Sequence, residues 1–201
     1  MTEGVGLGQE GPVGVAVEGD PAKPERPVGG VPMLVRVLGA VADAAPRVVV
    51  GPPRLAALLS VDATLTMEDP PGGGPVAAMG AGLALLDPAP ELVALLAADL
   101  PFLTAATVTL LRRTVAASAT SGAVLIDDTD RPQWLCGVWR HDALATRLAA
   151  MGELAGQSLR GALEPLAPAL VRPESAPPAY FDCDTEQDLR RAEEWSNGGA
   201  G

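Results

Sequence analysis

The chain is poor in the residues on which much protein chemistry depends. Its 201 residues include two cysteines and one histidine. Cys136 and Cys183 are far apart, no CxxC pair or Cys/His cluster exists, and His141 stands alone. This argues against a zinc site and against a His-dependent catalytic triad. Aromatic residues make up only 3%, whereas hydrophobic residues reach 48%, mostly Ala, Leu and Val. The core is therefore expected to be built from small aliphatic side chains. Basic residues are also scarce, 14 against 25 acids, for a net charge of −11. A general nucleic-acid surface needs a basic patch, so nucleic acid is not an expected partner. A small anionic ligand is still allowed, because local amides, a lysine and a metal can hold it.

Long hydrophobic runs are missing too. The apolar zone from Pro75 to Leu111 is broken by Asp87, Pro88, Pro90, Glu91, Asp99 and Pro101, so it is not read as a membrane span. The first 22 residues carry no Lys or Arg and no apolar core of a signal peptide. A reduced, cytoplasmic protein that engages no membrane is the expectation.

What is present alternates. Val31–Ala45 has Met33, Leu34, Val37, Leu38 and Val41 at helical spacing, and Arg47–Val50 is a β-branched strand ended by Gly51-Pro52-Pro53. Thr64–Met67 reads as a strand leading to Glu68-Asp69 and a Pro70–Pro75 turn rich in glycine, followed by a small-residue helix from Val76 to Leu86. Further helices are expected at Thr104–Ser118, Asp142–Leu154, Ser158–Leu166 and Thr185–Trp195. Further strands are expected at Val13–Val17, Gly122–Ile126, Gln133–Trp139 and Ala169–Arg172. Strands alternating with helices of 10 to 15 residues imply βαβ units. The expected fold is α/β, a three-layer sandwich with a Rossmann-like, mostly parallel sheet. The expected organisation is one domain over residues 13–195, with flexible segments at 1–12 and 196–201.

The most informative stretch is Leu95-Leu96-Ala97-Ala98-Asp99-Leu100-Pro101-Phe102-Leu103. An apolar run ends in one carboxylate, and Pro101 stops it. Such a run reads as a core strand of a parallel sheet, and ligands collect at the carboxyl ends of those strands. A lone Asp there can hold Mg²⁺ beside nucleotide phosphates, since Mg²⁺ usually takes one or two carboxylates plus phosphate oxygens. Equally, Asp99 could cap the helix that begins near Thr104 or simply end the strand. Asp182 and Asp184 could reach the same edge from the last strand, but Asp184-Thr185 is also an ordinary helix start. Core packing is the default reading for Trp134 and Trp139, and His141 is expected to begin a helix.

Several segments together resemble the molybdenum cofactor guanylyltransferases and their nucleotidyltransferase relatives. They are Lys23, Val28-Gly29-Gly30-Val31-Pro32-Met33-Leu34, Glu68–Ala78 with its Gly72-Gly73-Gly74-Pro75 run, Leu96–Leu103, Gln133–Trp139 and Phe181–Leu189. The resemblance implies a Rossmann-like fold and transfer of GMP from GTP to molybdopterin with release of pyrophosphate. It also implies Mg²⁺ as cofactor. By the same resemblance, Asp99 binds the metal, Lys23 and Asp99 serve catalysis, and Gly19, Lys23, Asp69 and Asp99 contact the nucleotide. The family's opening signature, LAGG-x-S-x-R-M-G-x-x-K, is not matched upstream of Lys23: no arginine precedes it, and Glu18 and Asp20 stand in the loop. Two alternatives therefore stay open. One is a related nucleotidyltransferase with another phosphorylated acceptor; the other is a non-catalytic homologue acting as a binding protein.

Overall fold

A computed structural model describes residues 13–16, 23–60 and 62–198. The chain alternates as expected from its apolar periodicity. Strand β1 is Val13–Ala16, and a hairpin of β2 (Pro27–Val28) and β3 (Val31–Pro32) leads into helix α1 (Met33–Ala40). Strands β4 (Arg47–Val50) and β5 (Ala63–Thr66) follow, then helix α2 (Pro75–Leu83) and strand β6 (Leu92–Ala97). Helix α3 (Ala105–Ala116), strands β7 (Gly122–Ile126) and β8 (Pro132–Arg140), and helices α4 (His141–Met151) and α5 (Leu159–Leu163) come next. Strand β9 (Ala169–Val171) and helix α6 (Glu186–Gly198) complete the order. Helix α6 thus continues past Trp195 into the segment expected to be a tail. The segment 1–12 lies outside the described residues.

The main sheet has seven strands in the order β5-β4-β1-β6-β8-β7-β9. Strands β5, β4, β1 and β6 run parallel, β8 is antiparallel to β6 and to β7, and β9 is parallel to β7. One strand in seven is thus reversed. Alternation along each strand sends its residues to opposite faces of the sheet. Val49, Ala94, Leu96 and Leu125 pack with Leu34, Val37 and Leu111 beneath α1 and α3. Val48, Val50, Val93, Leu95 and Val124 pack on the other face with Val76, Met79, Leu144 and Leu163 from α2, α4 and α5. The result is the three-layer α/β sandwich, with Val48–Val50 buried and central. All five residues expected to face inward from the first helix, Met33, Leu34, Val37, Leu38 and Val41, are buried.

The first helix is shorter than its periodicity predicts. Gly29 and Gly30 have φ values of 58° and 75°, and two consecutive residues in that region make the tight turn that joins a hairpin. Val31 and Pro32 are thereby drawn into β3 before the helix can start. Trp139 is fully buried, as expected, whereas Trp134 is half-buried. Helix α4 does begin at His141. Among the described residues no helix is long and apolar enough to cross a membrane.

Close approach across the β7–β8 pair depends on a missing Cβ. A Cβ placed on Gly122 would lie 2.5 Å from Trp139 Cε3 and 2.9 Å from the Val138 carbonyl oxygen. Gly122→Ala should therefore lower stability by about 1–3 kcal/mol, the usual cost of overpacking. Gly39→Ala, in the exposed last turn of α1 with open space around it, should instead raise stability by about 0.5–1 kcal/mol. Denaturant unfolding of the two variants checks both signs.

Candidate functional site

The chain passes from β1 to β4 and β5 on one side of the sheet, then returns to β6 beside β1. That reversal is a topological switch point, where a crevice opens at the carboxyl ends of the strands. Lys23 follows β1 and Asp99 follows β6, so both stand at this crevice. The antiparallel sense of β8 brings its first residues, Gln133 to Leu135, to the same edge. A cavity of about 450 Å³ lies there, with Asp99, Asp182, Asp184, Gln133, Trp134 and Tyr180 in its lining.

Two contacts bring the last acids to Asp99. The Cys183 N–H donates to the Asp99 carbonyl oxygen at 3.3 Å. Phe102, Phe181 and Trp195 form an aromatic trio with ring centroids 4.9 to 6.1 Å apart, and the Arg191 guanidinium sits 4.5 Å from the Trp195 ring. Both phenylalanines of the chain are spent here. One follows Asp99 by three residues and the other precedes Asp182 directly, so the trio locks the two acidic segments together.

The alternative structural tasks for these acids fall to other residues. Helix α3 is capped by Thr104, whose hydroxyl accepts from the Thr107 N–H at 3.2 Å, so Asp99 does not cap it. Helix α6 is opened by Thr185 and Asp188. The Asp188 N–H donates to Thr185 Oγ1 at 3.1 Å, and the Thr185 N–H donates to Asp188 Oδ2 at 2.9 Å, a reciprocal capping arrangement. Asp184 is therefore free to accept from Lys23 Nζ, at 2.8 Å. The same C-terminal element braces the rest of the lysine segment. Arg26 makes a bidentate pair with Glu186, and the Gly29 N–H donates to Glu193 Oε1 at 3.1 Å.

The electrostatics follow from this crowding. Burial pushes the Asp99 carboxyl up to about 6, and the charges of Asp182 and Asp184 add to the effect. Asp182 is likewise raised, by burial first and by Asp184 second. For Lys23 burial opposes the ammonium, but the hydrogen bond to Asp184 and the charges of Asp184, Asp99 and Asp182 outweigh it, and its pKa is raised. The site thus carries more negative charge than its one lysine neutralises. Among the described residues, no three Asp, Glu, His or Cys side chains converge closely enough to hold a metal unaided. Mg²⁺ needs only one or two carboxylates when phosphate oxygens complete its shell. A mostly buried Asp99 with Asp182 beside it and an uncompensated charge fits that requirement.

Of the residues expected from the sequence, Lys23 and Asp99 come together, and Asp182 and Asp184 join them. Gly19 lies outside the described residues, as do Glu18 and Asp20. Asp69 is exposed on the loop after β5, at the carboxyl edge but outside the lining of this cavity. In that loop it is Glu68 that accepts from the Gly72 N–H, at 3.0 Å, while Gly74, at φ 85°, leads into α2 with Pro75 in its first turn. Sequence reasoning gives Gln133 and Tyr180 no role in the site. A signal for Gln133 does exist in the short 127–131 connection between β7 and β8, which demands an antiparallel pair.

Asp99 yields a sign-specific prediction. Its folded pKa exceeds its unfolded one, so the folded state holds the extra proton between about pH 4 and 6, and stability falls as pH rises through that window. A rise of about two pH units corresponds to roughly 3 kcal/mol. Asp99→Asn should therefore be more stable than the parent at pH 7, by up to about 3 kcal/mol, with the difference shrinking toward pH 4. Thermal melts at pH 4.5, 6 and 7.5 check this, and a variant that melts lower than the parent at pH 7.5 would overturn it.

No curated protein matches the sequence. Among solved structures, the chain is similar to molybdopterin-guanine dinucleotide biosynthesis protein A from Archaeoglobus fulgidus, with 21% identity and a TM-score of 0.72 over 93% of this chain and 99% of that one. It is also similar to 2-C-methyl-D-erythritol 4-phosphate cytidylyltransferase from Thermus thermophilus, with 21% identity and a TM-score of 0.70 over 94% and 100%. These likenesses concern the fold. The family model for the MobA-like NTP transferase domain matches residues 18–170, a span that takes in Lys23, the glycine loop, Asp99 and the first residues of β8. The chain belongs to the MobA-like NTP transferase family.

Proposed function

We propose that the chain is a nucleotidyltransferase that passes GMP from GTP to a molybdopterin-type acceptor and releases pyrophosphate. The observation that carries this reading is the meeting of Lys23 with Asp99, Asp182 and Asp184 at the switch point of the sheet. Membership of the MobA-like family supports nucleotide chemistry, and the acceptor is taken by analogy with one of the structures that share the fold, a molybdopterin-guanine dinucleotide biosynthesis protein.

In this reading a phosphate oxygen of the acceptor attacks the α-phosphorus of GTP, and the bond to the β-phosphate breaks. Such transfers need positioning and charge stabilisation rather than a protein nucleophile. Lys23 exchanges Asp184 for the triphosphate and offsets the charge that develops on the pyrophosphate. Asp99, with Asp182 beside it, would hold Mg²⁺, which when bound neutralises phosphate charge and orients the reacting groups. The Gly72–Gly74 loop lets backbone approach a ligand closely on the opposite flank, near Asp69.

A second reading, a homologue that binds nucleotide without turnover, is favoured by Glu18 and Asp20 and by the lack of any arginine before Lys23. Calorimetric titration with GTP, CTP and ATP, with and without Mg²⁺, tests the binding step. GTP should bind tightest, and Mg²⁺ should strengthen it. Asp99→Asn should lose the Mg²⁺ dependence, whereas equal binding by variant and parent would remove Asp99 from the site. Lys23→Met should lower transfer by roughly a hundredfold, the scale of losing one charge-stabilising group. Turnover absent from the parent despite GTP binding would establish the second reading.

A further inference from the structure

The acidic cavity has a neighbour. A second cavity, of about 440 Å³, shares Pro132 and Trp134 with the first. Its other lining residues are Asp130, Arg131, Arg160 and Glu164. The lining sets two arginines against two acids, and each of the acids is already engaged. Asp130 pairs with Arg172, which also donates to the Asp127 carbonyl oxygen at 3.0 Å. The Asp127 carboxylate accepts from the Thr129 hydroxyl at 2.7 Å, the Arg131 N–H at 3.0 Å and Gln133 Nε2 at 3.0 Å. Glu164 takes both ends of the Arg160 guanidinium, at 3.0 Å each. Among the described residues the Arg131 guanidinium makes no hydrogen bond or ion pair. Its donors are open to a ligand.

Trp134 is half-buried, packs against the buried cluster that includes Trp139, Leu144 and Leu163, and lines both cavities. A rigid indole offers a planar ligand a stacking face, with ring centroids typically about 4.5–7 Å apart. An arginine at the far end supplies a planar fork of donors for a carboxylate or carbonyl edge.

We propose that Trp134 and Arg131, with Arg160 beside them, form a distal subsite for the acceptor: a planar ring lies against Trp134 while its far, anionic or carbonyl-rich end meets Arg131. The inference rests on the nucleotidyl-transfer reading, because it takes the acceptor's phosphate to lie in the acidic cavity. Specificity for the acceptor would then come from the Arg131 guanidinium, one aromatic residue away from the reacting charges.

The test uses the full chain with Mg²⁺ and two matched probes, 2-naphthyl phosphate and 6-carboxy-2-naphthyl phosphate, titrated by NMR on the tryptophan indole N–H resonances. The parent should bind the carboxylated probe at least fivefold more tightly, with the Trp134 resonance shifting. Arg131→Gln should erase that preference. Arg160→Gln is made together with Glu164→Gln so that net charge is unchanged, and it should reduce the preference. Trp134→Ala should weaken both probes at least tenfold, and Trp134→Phe should restore most of the binding. Affinity for GTP should stay the same in the Arg131→Gln and Arg160→Gln/Glu164→Gln variants, whose positions lie outside the lining of the acidic cavity. Equal binding of the two probes by the parent, no binding of either, or a preference that survives Arg131→Gln overturns the subsite. GTP binding lost from the parent with the probe preference intact overturns the nucleotidyl-transfer reading instead.

Discussion

Three carboxylates and one ammonium share the edge between β1 and β6, and this uneven balance is the constraint around which the rest is organised. The Lys23–Asp184 pair joins segments 161 positions apart. It offsets part of the repulsion among the carboxylates, which grows as charges are withdrawn from water. The structure does not relieve the remainder internally. Asp99 and Asp182 are both left with raised pKa values. Natural proteins retain such unfavourable charge where a ligand or ion is to supply the counter-charge, and perturbed groups cluster at functional sites for that reason.

The scaffold keeps those charges together despite their repulsion. The backbone bond from Cys183 to Asp99 and the Phe102–Phe181–Trp195 trio are apolar or neutral interactions, insensitive to the charge state they enforce. Helix α6 extends the grip to Arg26 and Gly29. The C-terminal helix is therefore part of the device that holds Lys23 in place, although it contributes no strand to the sheet. The reversed strand β8 plays a matching role on the other side. Running against its neighbours, it delivers its amino end rather than its carboxyl end to the crevice, and with it Gln133 and Trp134.

Much of this is legible in the residues themselves. The β-branched run Val48–Val50 and the apolar run into Asp99 announce central strands, and helical spacing marks the buried face of α1. Periodicity misplaces the boundary at Val31 because it extends through a hairpin as readily as through a helix, and the Gly29–Gly30 turn is the stronger signal. Trp134 reads as core by default. Parity groups it with Cys136 and Val138, but the β7–β8 pairing shifts register between Val124 and Leu125, and Trp134 packs on the opposite face with Trp139, which strand parity alone does not reveal. Asp69 and Asp99 look equivalent as strand-ending carboxylates, yet they stand after β5 and β6, with β4 and β1 between them.

The sequence by itself determined the layer architecture, the burial of the sheet and the candidacy of Asp99, because these depend on local periodicity and composition, while Lys23 became a candidate through the family resemblance. Only the tertiary structure decided that Asp182 and Asp184 join Asp99, and that Asp184 pairs with Lys23. It also decided that Trp134 lines both the acidic cavity and the neighbouring one that holds Arg131. The physical reason is that charge coupling and cavity shape depend on distances through space. Residues 161 positions apart acquire such a distance only when the sheet order, the direction of β8 and the docking of α6 have all been settled together.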